Sequence, residues 1–204
     1  MKEEIRKDLF WFNNKAMPRG LRFVTLFCKS LFSPSFFSIF LYRLARKIKC
    51  MPIVPTLLFK LNQFLFGIEI PASANIGGGL RLPHARNIII AADSILGEFV
   101  TIGQQSTIGG NMGYRVENRA VPTIGDWCWI CANCVVAGPI TIGQDVLVGS
   151  NTVLTKNTPP HSVVSSCSKI HIHEKVKNYA GKNKTINQFY YGLSEEELRC
   201  TSVL

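Results

Sequence analysis

Aliphatic residues recur at every sixth position through most of residues 70–154. The pattern is unbroken from Ile124 onward and appears in two shorter blocks before that residue. Its members are Ile70, Ile76, Leu82, Ile90, Leu96, Ile102, Ile108, Ile124, Ile130, Val136, Ile142, Val148 and Leu154. A period of six fits neither the 3.6-residue turn of an α-helix nor the spacing of β-hairpins. It is typical of hexapeptide repeats, so we predict a parallel β-helix.

The repeat also predicts how each coil is built. One hexad makes a short strand with its aliphatic side chain pointing inward, and the small residue that follows, most often glycine, allows a tight corner. Three hexads complete a triangular coil of about eighteen residues. Successive coils then stack at about the 4.8 Å spacing of neighbouring strands, so each aliphatic residue rests on one from the coil below.

The segment CWICANC, at residues 128–134, looks like a metal-binding cluster. In the repeat, however, Cys128 and Cys134 fall at the fifth hexad position, where small residues point inward, and Cys131 falls at a corner. These side chains face different walls and do not converge into the tetrahedral set that zinc needs. We therefore predict structural cysteines and no metal site.

The first interruption of the repeat lies at His84. Leu82 and Ile90 are eight residues apart instead of six, so two extra residues bulge the wall. The bulge falls near the corner that Glu69 occupies one coil below. An imidazole titrates near neutral pH, and a carboxylate on its far nitrogen makes it an effective general base. The residues alone leave two interpretations: His84 as a general base with Glu69 as its partner carboxylate, or a histidine that only caps the bulge through backbone hydrogen bonds, which they favour.

The second interruption is a loop over residues 110–122. Ile108 and Ile124 are sixteen residues apart, so the chain leaves the wall and returns to it. Long excursions from a rigid scaffold are usual places for binding residues. Among the polar residues of this loop we predict that Arg115 and Asn118 bind substrate.

The first third of the chain is basic and aromatic. Residues 1–50 contain eleven Lys and Arg against three acidic residues, and eleven of the thirteen phenylalanines precede residue 67. Residues 35–49 and 55–66 have the apolar spacing of amphipathic helices. Such a region suits contact of residues 1–66 with an anionic membrane surface, although helices packed on a partner subunit would fit equally well.

Other sequence features bear on where the protein is located and on whether it binds nucleic acid. The longest uncharged run is too short to span a bilayer, and the first residues lack the apolar stretch of a signal peptide. We therefore expect a cytoplasmic protein at the inner face of the cell membrane. The sequence carries no nucleic-acid recognition motif, so we expect no nucleic-acid partner.

Four segments together resemble a known family. They are EIPASANIGGGLRLPHARNIII (69–90), TIGG (107–110), VPTIGD (121–126) and NTPPHSVV (157–164). Residues 69–169 are similar to the serine acetyltransferase-like branch of the left-handed β-helix acyltransferases. The resemblance implies a left-handed coil, acetyl-CoA as co-substrate, no metal, and a homotrimer with its sites in clefts between neighbouring β-helices.

The resemblance also implies roles for individual residues. By position, His84 matches the family's catalytic base and Glu69 its partner carboxylate. The residues that match positions along the CoA site are Gly110, Ala132, Ser150 and Lys169. The chain then divides into a helical region (1–68), an acyltransferase β-helix (69–165) and a C-terminal tail (166–204).

Departures from the family pattern bear on the acceptor. Serine acetyltransferases carry an aspartate where this chain has Pro83, and an Arg-His pair where it has Ala120 and Val121. Because those groups hold the charged ends of serine, we predict a different acceptor, a hydroxyl of a cell-envelope or exopolysaccharide sugar, free or lipid-linked, as in polysaccharide O-acetyltransferases. Serine O-acetylation for cysteine synthesis is the alternative enzyme, and a non-catalytic β-helix scaffold is the alternative of another class.

Overall fold

The computed structural model describes residues 1–14, 16–111, 113 and 115–166, which belong to one compact unit, Met1–Ser166. Lys169 and the predicted tail beyond Ser166 lie outside the described residues. The helices are α1 (Lys2–Asp8), a 3₁₀ helix (Leu9–Phe12), α2 (Gly20–Ser30), α3 (Pro34–Lys47) and α4 (Val54–Phe66). The strands are β1 (Asn75–Ile76), β2 (Ile89–Ile90), β3 (Ile95–Leu96), β4 (Thr101–Ile102), β5 (Thr107–Gly109), β6 (Thr123–Ile124), β7 (Trp129–Ile130), β8 (Val135–Ala137), β9 (Thr141–Ile142), β10 (Leu147–Val148), β11 (Val153–Leu154) and β12 (Val163–Val164).

The strands form three parallel sheets, which are the walls of a β-helix. Wall A contains β2, β5, β8 and β11; wall B contains β1, β3, β6 and β9; wall C contains β4, β7, β10 and β12. Consecutive strands of the chain lie on successive walls, and pairing joins each strand to one from the next coil. The predicted parallel β-helix and its N-terminal helices are confirmed.

The pairing registers show how the two interruptions are absorbed. Ile89 pairs with Thr107, eighteen residues later, as three uninterrupted hexads require. Asn75 pairs with Ile95, twenty residues later, because the bulge adds two residues. Ile95 pairs with Thr123, twenty-eight residues later, because the loop adds ten. Both interruptions therefore lengthen one coil and leave the stacking of the walls intact.

The interior of the coils is filled as the repeat predicts. Every aliphatic residue of the repeat is buried, and these side chains form one continuous hydrophobic cluster. Cys128 and Cys134 are buried in the same cluster. Burial raises the pKa of both thiols, so they behave as small apolar side chains rather than as thiolate ligands.

The glycines of the repeat allow tight corners through their small size, and other residues supply the left-handed backbone. The residues at the corners with a left-handed backbone are mostly not glycine: they include Asp93, Phe99, Gln105, Trp127, Asn133, Asp145 and Asn151. Gly125, by contrast, has a neighbouring coil so close that a Cβ would lie 2.6 Å from the backbone nitrogen of Gln144. The same close approach occurs at Gly77, Gly97, Gly103 and Gly143. Glycine is needed there because stacked corners leave no room for a Cβ, as the prediction of a small residue at a tight corner requires.

Helix α3 covers the open edge of the first coil. The Tyr42 hydroxyl donates to the carbonyl of Ala74 and accepts from the N–H of Ile76. The Arg43 guanidinium donates to the carbonyls of Ile76 and Gly77, at 2.6 Å each. No neighbouring strand faces these backbone groups, because they belong to the first coil. Helix α3 therefore supplies the hydrogen-bond partners that the end of a β-helix lacks.

A buried ion pair joins helices α1 and α3 at this edge. The Asp8 carboxylate accepts from Arg43 at 3.0 and 3.1 Å and from the N–H groups of Gly79 and Leu80 at 2.8 and 2.9 Å. Burial raises the pKa of the Asp8 carboxyl, and the arginine and the two N–H groups oppose that rise. The contact ties the helices to the first coil, so the N-terminal region is a structural end-piece of the β-helix.

The predicted helices at 35–49 and 55–66 correspond to α3 and α4, whereas α1 and α2 were not predicted. Among the described residues, no single helix is long and apolar enough to cross a bilayer; α2 and α3 together reach that length and composition but are bent by 105°. Contact of residues 1–66 with a membrane surface stays a prediction.

Candidate active site

The first interruption holds helix α4 and turns His84 outward. The Arg86 guanidinium donates to the carbonyl of Leu65 at 3.1 Å, and the N–H of Asn87 donates to the carbonyl of Phe66 at 3.1 Å. Carbonyls at a helix C-terminus lack partners within the helix, so these contacts cap α4. His84 itself is exposed, and its carbonyl accepts from the N–H of Arg86 at 2.8 Å. The bulge thus has a structural use and leaves the imidazole accessible.

Glu69 lies on the coil next to the bulge, as predicted, but its carboxylate has another partner. Glu69 pairs with Ile89 across the edge of wall A, and its Oε1 accepts from Nε2 of Gln63 at 2.8 Å. The hydrogen bonds and ion pairs of the described residues include none between Glu69 and His84. The pairing of these two side chains therefore stays a prediction, and Gln63, at the end of α4, is a neighbour that sequence reasoning missed.

The three walls form a triangular prism, and His84 lies at the same corner of it as two of the predicted CoA positions, Ala132 and Ser150. We call this the His84 corner; it joins wall C to wall A and consists of residues 83–87, 103–105, 131–133 and 149–151. Backbone hydrogen bonds join successive coils along this corner. The N–H groups of Gln105, Asn133 and Asn151 donate to the carbonyls of Arg86, Gln104 and Ala132, respectively, at 3.0–3.1 Å.

Residues with small side chains lie on the later coils of the His84 corner. Ala132 and Ser150 lie one above the other, and Gly103 lies against the backbone of Ala132. Gly110 follows β5 and lies at the next corner, between walls A and B, while Lys169 lies outside the described residues.

The second interruption is fastened to wall B by one arginine. The Arg119 guanidinium donates to Oγ1 of Thr123 at 2.9 Å, to the carbonyl of Pro139 at 3.0 Å and to Oγ1 of Thr141 at 3.2 Å. The backbones of Val116 and Arg119 pair across a two-residue turn. Arg119 is therefore a holding residue, and this anchor lies on the wall opposite the His84 corner.

The loop encloses a charged cavity of about 340 Å³. Its lining residues are Ala92, Asp93, Arg115, Glu117, Asn118, Arg119, Ala120 and Val121. The predicted substrate residues Arg115 and Asn118 thus lie together, and Asp93 joins them from the preceding coil. Asp93 is another residue that sequence reasoning missed, because it belongs to an ordinary corner with no mark of function in its own hexad.

One chain does not bring all the predicted site residues together. His84, Ala132 and Ser150 share one corner, whereas Arg115 and Asn118 line a cavity beside the corner between walls A and B. Two groups so placed on one prism meet only if a neighbouring molecule supplies the second group. The described residues include no group of three or more His, Cys, Asp or Glu arranged to hold a metal ion.

The hexapeptide coils are of a kind found in a class of bacterial transferases. The family model for bacterial transferase hexapeptide (six repeats) matches residues 122–156. The serine acetyltransferase of Mycobacterium tuberculosis is 36% identical over 105 residues, which are 52% of this chain and 45% of that protein. The serine acetyltransferase of Helicobacter pylori is 31% identical over 134 residues, which are 65% of this chain and 77% of that protein.

A solved structure gives the same picture. The serine acetyltransferase of Neisseria gonorrhoeae in complex with serine is 25% identical, with a TM-score of 0.65 over 79% of this chain and 64% of that chain. The chain spans about half the length of the curated relatives from Mycobacterium tuberculosis and Synechococcus elongatus. It belongs to the hexapeptide-repeat acyltransferase family that includes the serine acetyltransferases.

The prediction of a sugar acceptor is wrong, because the relatives are serine acetyltransferases. It rested on uncharged residues at three positions where that family carries charge: Pro83 at the bulge, and Ala120 and Val121, which line the loop cavity. In the structure the same cavity also contains the carboxylates of Asp93 and Glu117 and the guanidinium of Arg115. Charges of both signs therefore reach the cavity from other positions, which a comparison position by position does not reveal.

Proposed function

We propose that the protein is an acetyl-CoA-dependent O-acetyltransferase whose acceptor is L-serine. The observation that carries the proposal is the 31% identity to a serine acetyltransferase over 77% of that relative's length. The placement of His84 on one corner with Ala132 and Ser150 supports it, because a thioester arm along that corner ends beside the imidazole. We also infer that the coils wind left-handed, as the resemblance to this family implies.

In this proposal His84 is the general base. Its imidazole removes the proton from the serine hydroxyl as the oxygen attacks the thioester carbonyl of acetyl-CoA. A backbone N–H near Gly110 stabilises the negative oxygen of the tetrahedral intermediate. The imidazolium then returns the proton to the departing thiolate of CoA, and O-acetylserine and CoA result. Glu69 is the carboxylate that orients the imidazole in this proposal. To do so, it gives up its hydrogen bond with Gln63.

The charged cavity is the proposed binding place for the serine backbone. The acceptor carries an ammonium and a carboxylate, and the cavity offers two carboxylates, Asp93 and Glu117, and one guanidinium, Arg115. A guanidinium fits a carboxylate with two parallel hydrogen bonds. We assign the serine carboxylate to Arg115 and the ammonium to Asp93 or Glu117, with Asn118 as a further hydrogen-bonding partner.

The same assignment requires neighbouring subunits. Because the cavity and the His84 corner lie apart on one prism, we propose a homotrimer in which one subunit supplies His84 and the next supplies the loop. A closed trimer repeats that contact three times with the same pair of surfaces. Ile89, Val135 and Val153 are exposed on wall A and give each subunit an apolar wall of the kind that subunits bury.

The test is release of CoA from acetyl-CoA by the purified chain in the presence of L-serine. We expect CoA release that depends on L-serine, saturates with it, and falls strongly with D-serine, which presents its hydroxyl with the opposite hand. Mass spectrometry of the product should show O-acetylserine. Release of CoA that does not respond to L-serine, or no release by a folded protein, would overturn the proposal.

A further inference from the structure

Helix α4 has two apolar faces, only one of which the protein covers. Pro55, Asn62 and Phe66 are buried against the rest of the chain. On the opposite side, Leu57 is 60% exposed and Phe64 85% exposed. The exposed set, which we call the outer α4 face, is Met51, Ile53, Val54, Leu57, Leu61, Phe64 and Leu65. From Val54 onward its members follow one another at intervals of three, four, three and one, so they form a single stripe along the helix.

Positive charge surrounds this face. Lys47 and Lys49 are exposed just before it, Lys60 is exposed within the helix, and Arg86 contacts the last turn through the carbonyl of Leu65. Residues 9–68 contain nine Lys and Arg and no Asp or Glu. The nearest carboxylate in the sequence, Glu69, is hydrogen-bonded to Gln63, which lies off the exposed stripe. The outer α4 face therefore combines apolar side chains with exposed cations, in a region where sixty consecutive residues contain no Asp or Glu.

We propose that the outer α4 face binds the surface of an anionic lipid bilayer. Thirteen residues of helix are about 20 Å long, too short for a hydrocarbon core of about 30 Å. A short helix with an apolar stripe and flanking cations instead lies in the plane of the interface, with its apolar side chains among the acyl chains and its cations at the headgroups. Phe64 and Leu57, the most exposed members on the helix, enter deepest.

A second copy of the chain is the competing occupant. Two outer α4 faces in contact would place the lysines of one copy against those of the other, with no carboxylate from residues 9–68 to compensate. Like charges facing each other across an interface oppose binding. Negatively charged headgroups remove this repulsion, which is why the charge pattern favours a bilayer.

The experiment is sedimentation of the full chain with vesicles, without acetyl-CoA or serine. One set of vesicles is phosphatidylcholine, and the other contains about one third phosphatidylglycerol. The test variant is Leu57→Ser with Phe64→Ser; the control is Val163→Ser, which removes an equally exposed apolar side chain at β12. Circular dichroism and sedimentation velocity of the free proteins monitor folding and assembly.

We expect the chain to sediment with the anionic vesicles, and at least about tenfold less with neutral vesicles or in about 1 M salt, which screens the cations. The double variant should bind the anionic vesicles at least about tenfold more weakly, and Val163→Ser should bind like the unmodified chain. Three results would overturn the proposal: no binding to anionic vesicles, equal binding by the double variant, or a smaller assembly for the double variant in solution. The last result would assign the face to a second copy. Because no acetyl transfer is measured, failure here leaves the serine proposal untouched.

Discussion

The two interruptions of the repeat differ in how the protein holds them and in what they present to solvent. The two-residue bulge is held from below, because Arg86 and Asn87 cap the end of helix α4, and it leaves His84 facing solvent. The ten-residue excursion is held from the side, because Arg119 fastens it to wall B, and it encloses a cavity with charges of both signs. One interruption thus exposes an imidazole, and the other lines a charged cavity.

The coils between them contain neither feature. There, corners touch so closely that glycine is required, as at Gly97, where a Cβ would lie 2.7 Å from the backbone nitrogen of Asp126. In this β-helix the exposed imidazole and the charged cavity lie where the six-residue period fails, whereas the predicted CoA positions Ala132 and Ser150 lie on regular corners. In the proposed enzyme each interruption needs the group that the other one carries, although one chain holds the two apart.

The largest expected effect separates the His84 bulge from an ordinary corner. His84→Ala should lower kcat/KM for serine acetylation roughly 10²–10⁴-fold, since a positioned general base contributes about that much. The melting temperature should not change, because the side chain is exposed. His161→Ala is the matched control: His161 is also exposed, and its Nδ1 lies 2.8 Å from Oδ2 of Asp145. Equal losses in both variants would contradict a special role for the bulge.

The next effect separates two arginines of the loop. Arg115→Ala should raise KM for serine about thirtyfold or more without changing the melting temperature, because it removes only a charged contact to the substrate. Arg119→Ala removes three hydrogen bonds to wall B and should lower the melting temperature by several degrees, about 2–4 °C for each kcal/mol lost. Steady-state kinetics and thermal unfolding of both variants check this. A stable, high-KM Arg119 variant beside an unstable Arg115 variant would reverse the assignment.

The smallest effect compares an interrupted corner with a regular one. At Gly125 a Cβ would meet backbone atoms of the next coil at 2.6–2.9 Å, whereas at Gly109, just before the loop, the nearest atom is 3.8 Å away. Gly125→Ala should therefore destabilise the protein by about 1–3 kcal/mol, and Gly109→Ala should be neutral. Urea unfolding measures both, and equal costs would show that the loop does not relieve the stacking.

Much of the architecture was predictable because the inward aliphatic residues mark every hexad independently of distant contacts. The same count located both interruptions, since a bulge of two residues and a loop of ten change the spacing directly. The partners of the side chains were not predictable. Arg119 and Arg115 look alike in sequence, and only the folded loop shows which one faces wall B. Asp93 and Gln63 reach the site from other coils or helices, so no local pattern identifies them.

The proposed active site combines His84 of one subunit with the loop of the next subunit. The most direct measurement uses His84→Ala and Arg115→Ala chains, co-expressed with different tags and purified through both. In a closed trimer that contains both variants, one of the three clefts combines an intact His84 with an intact Arg115. The mixed protein should therefore show about one third of the activity of the unmodified trimer. Activity no greater than that of the two variants measured alone would contradict a site shared between subunits.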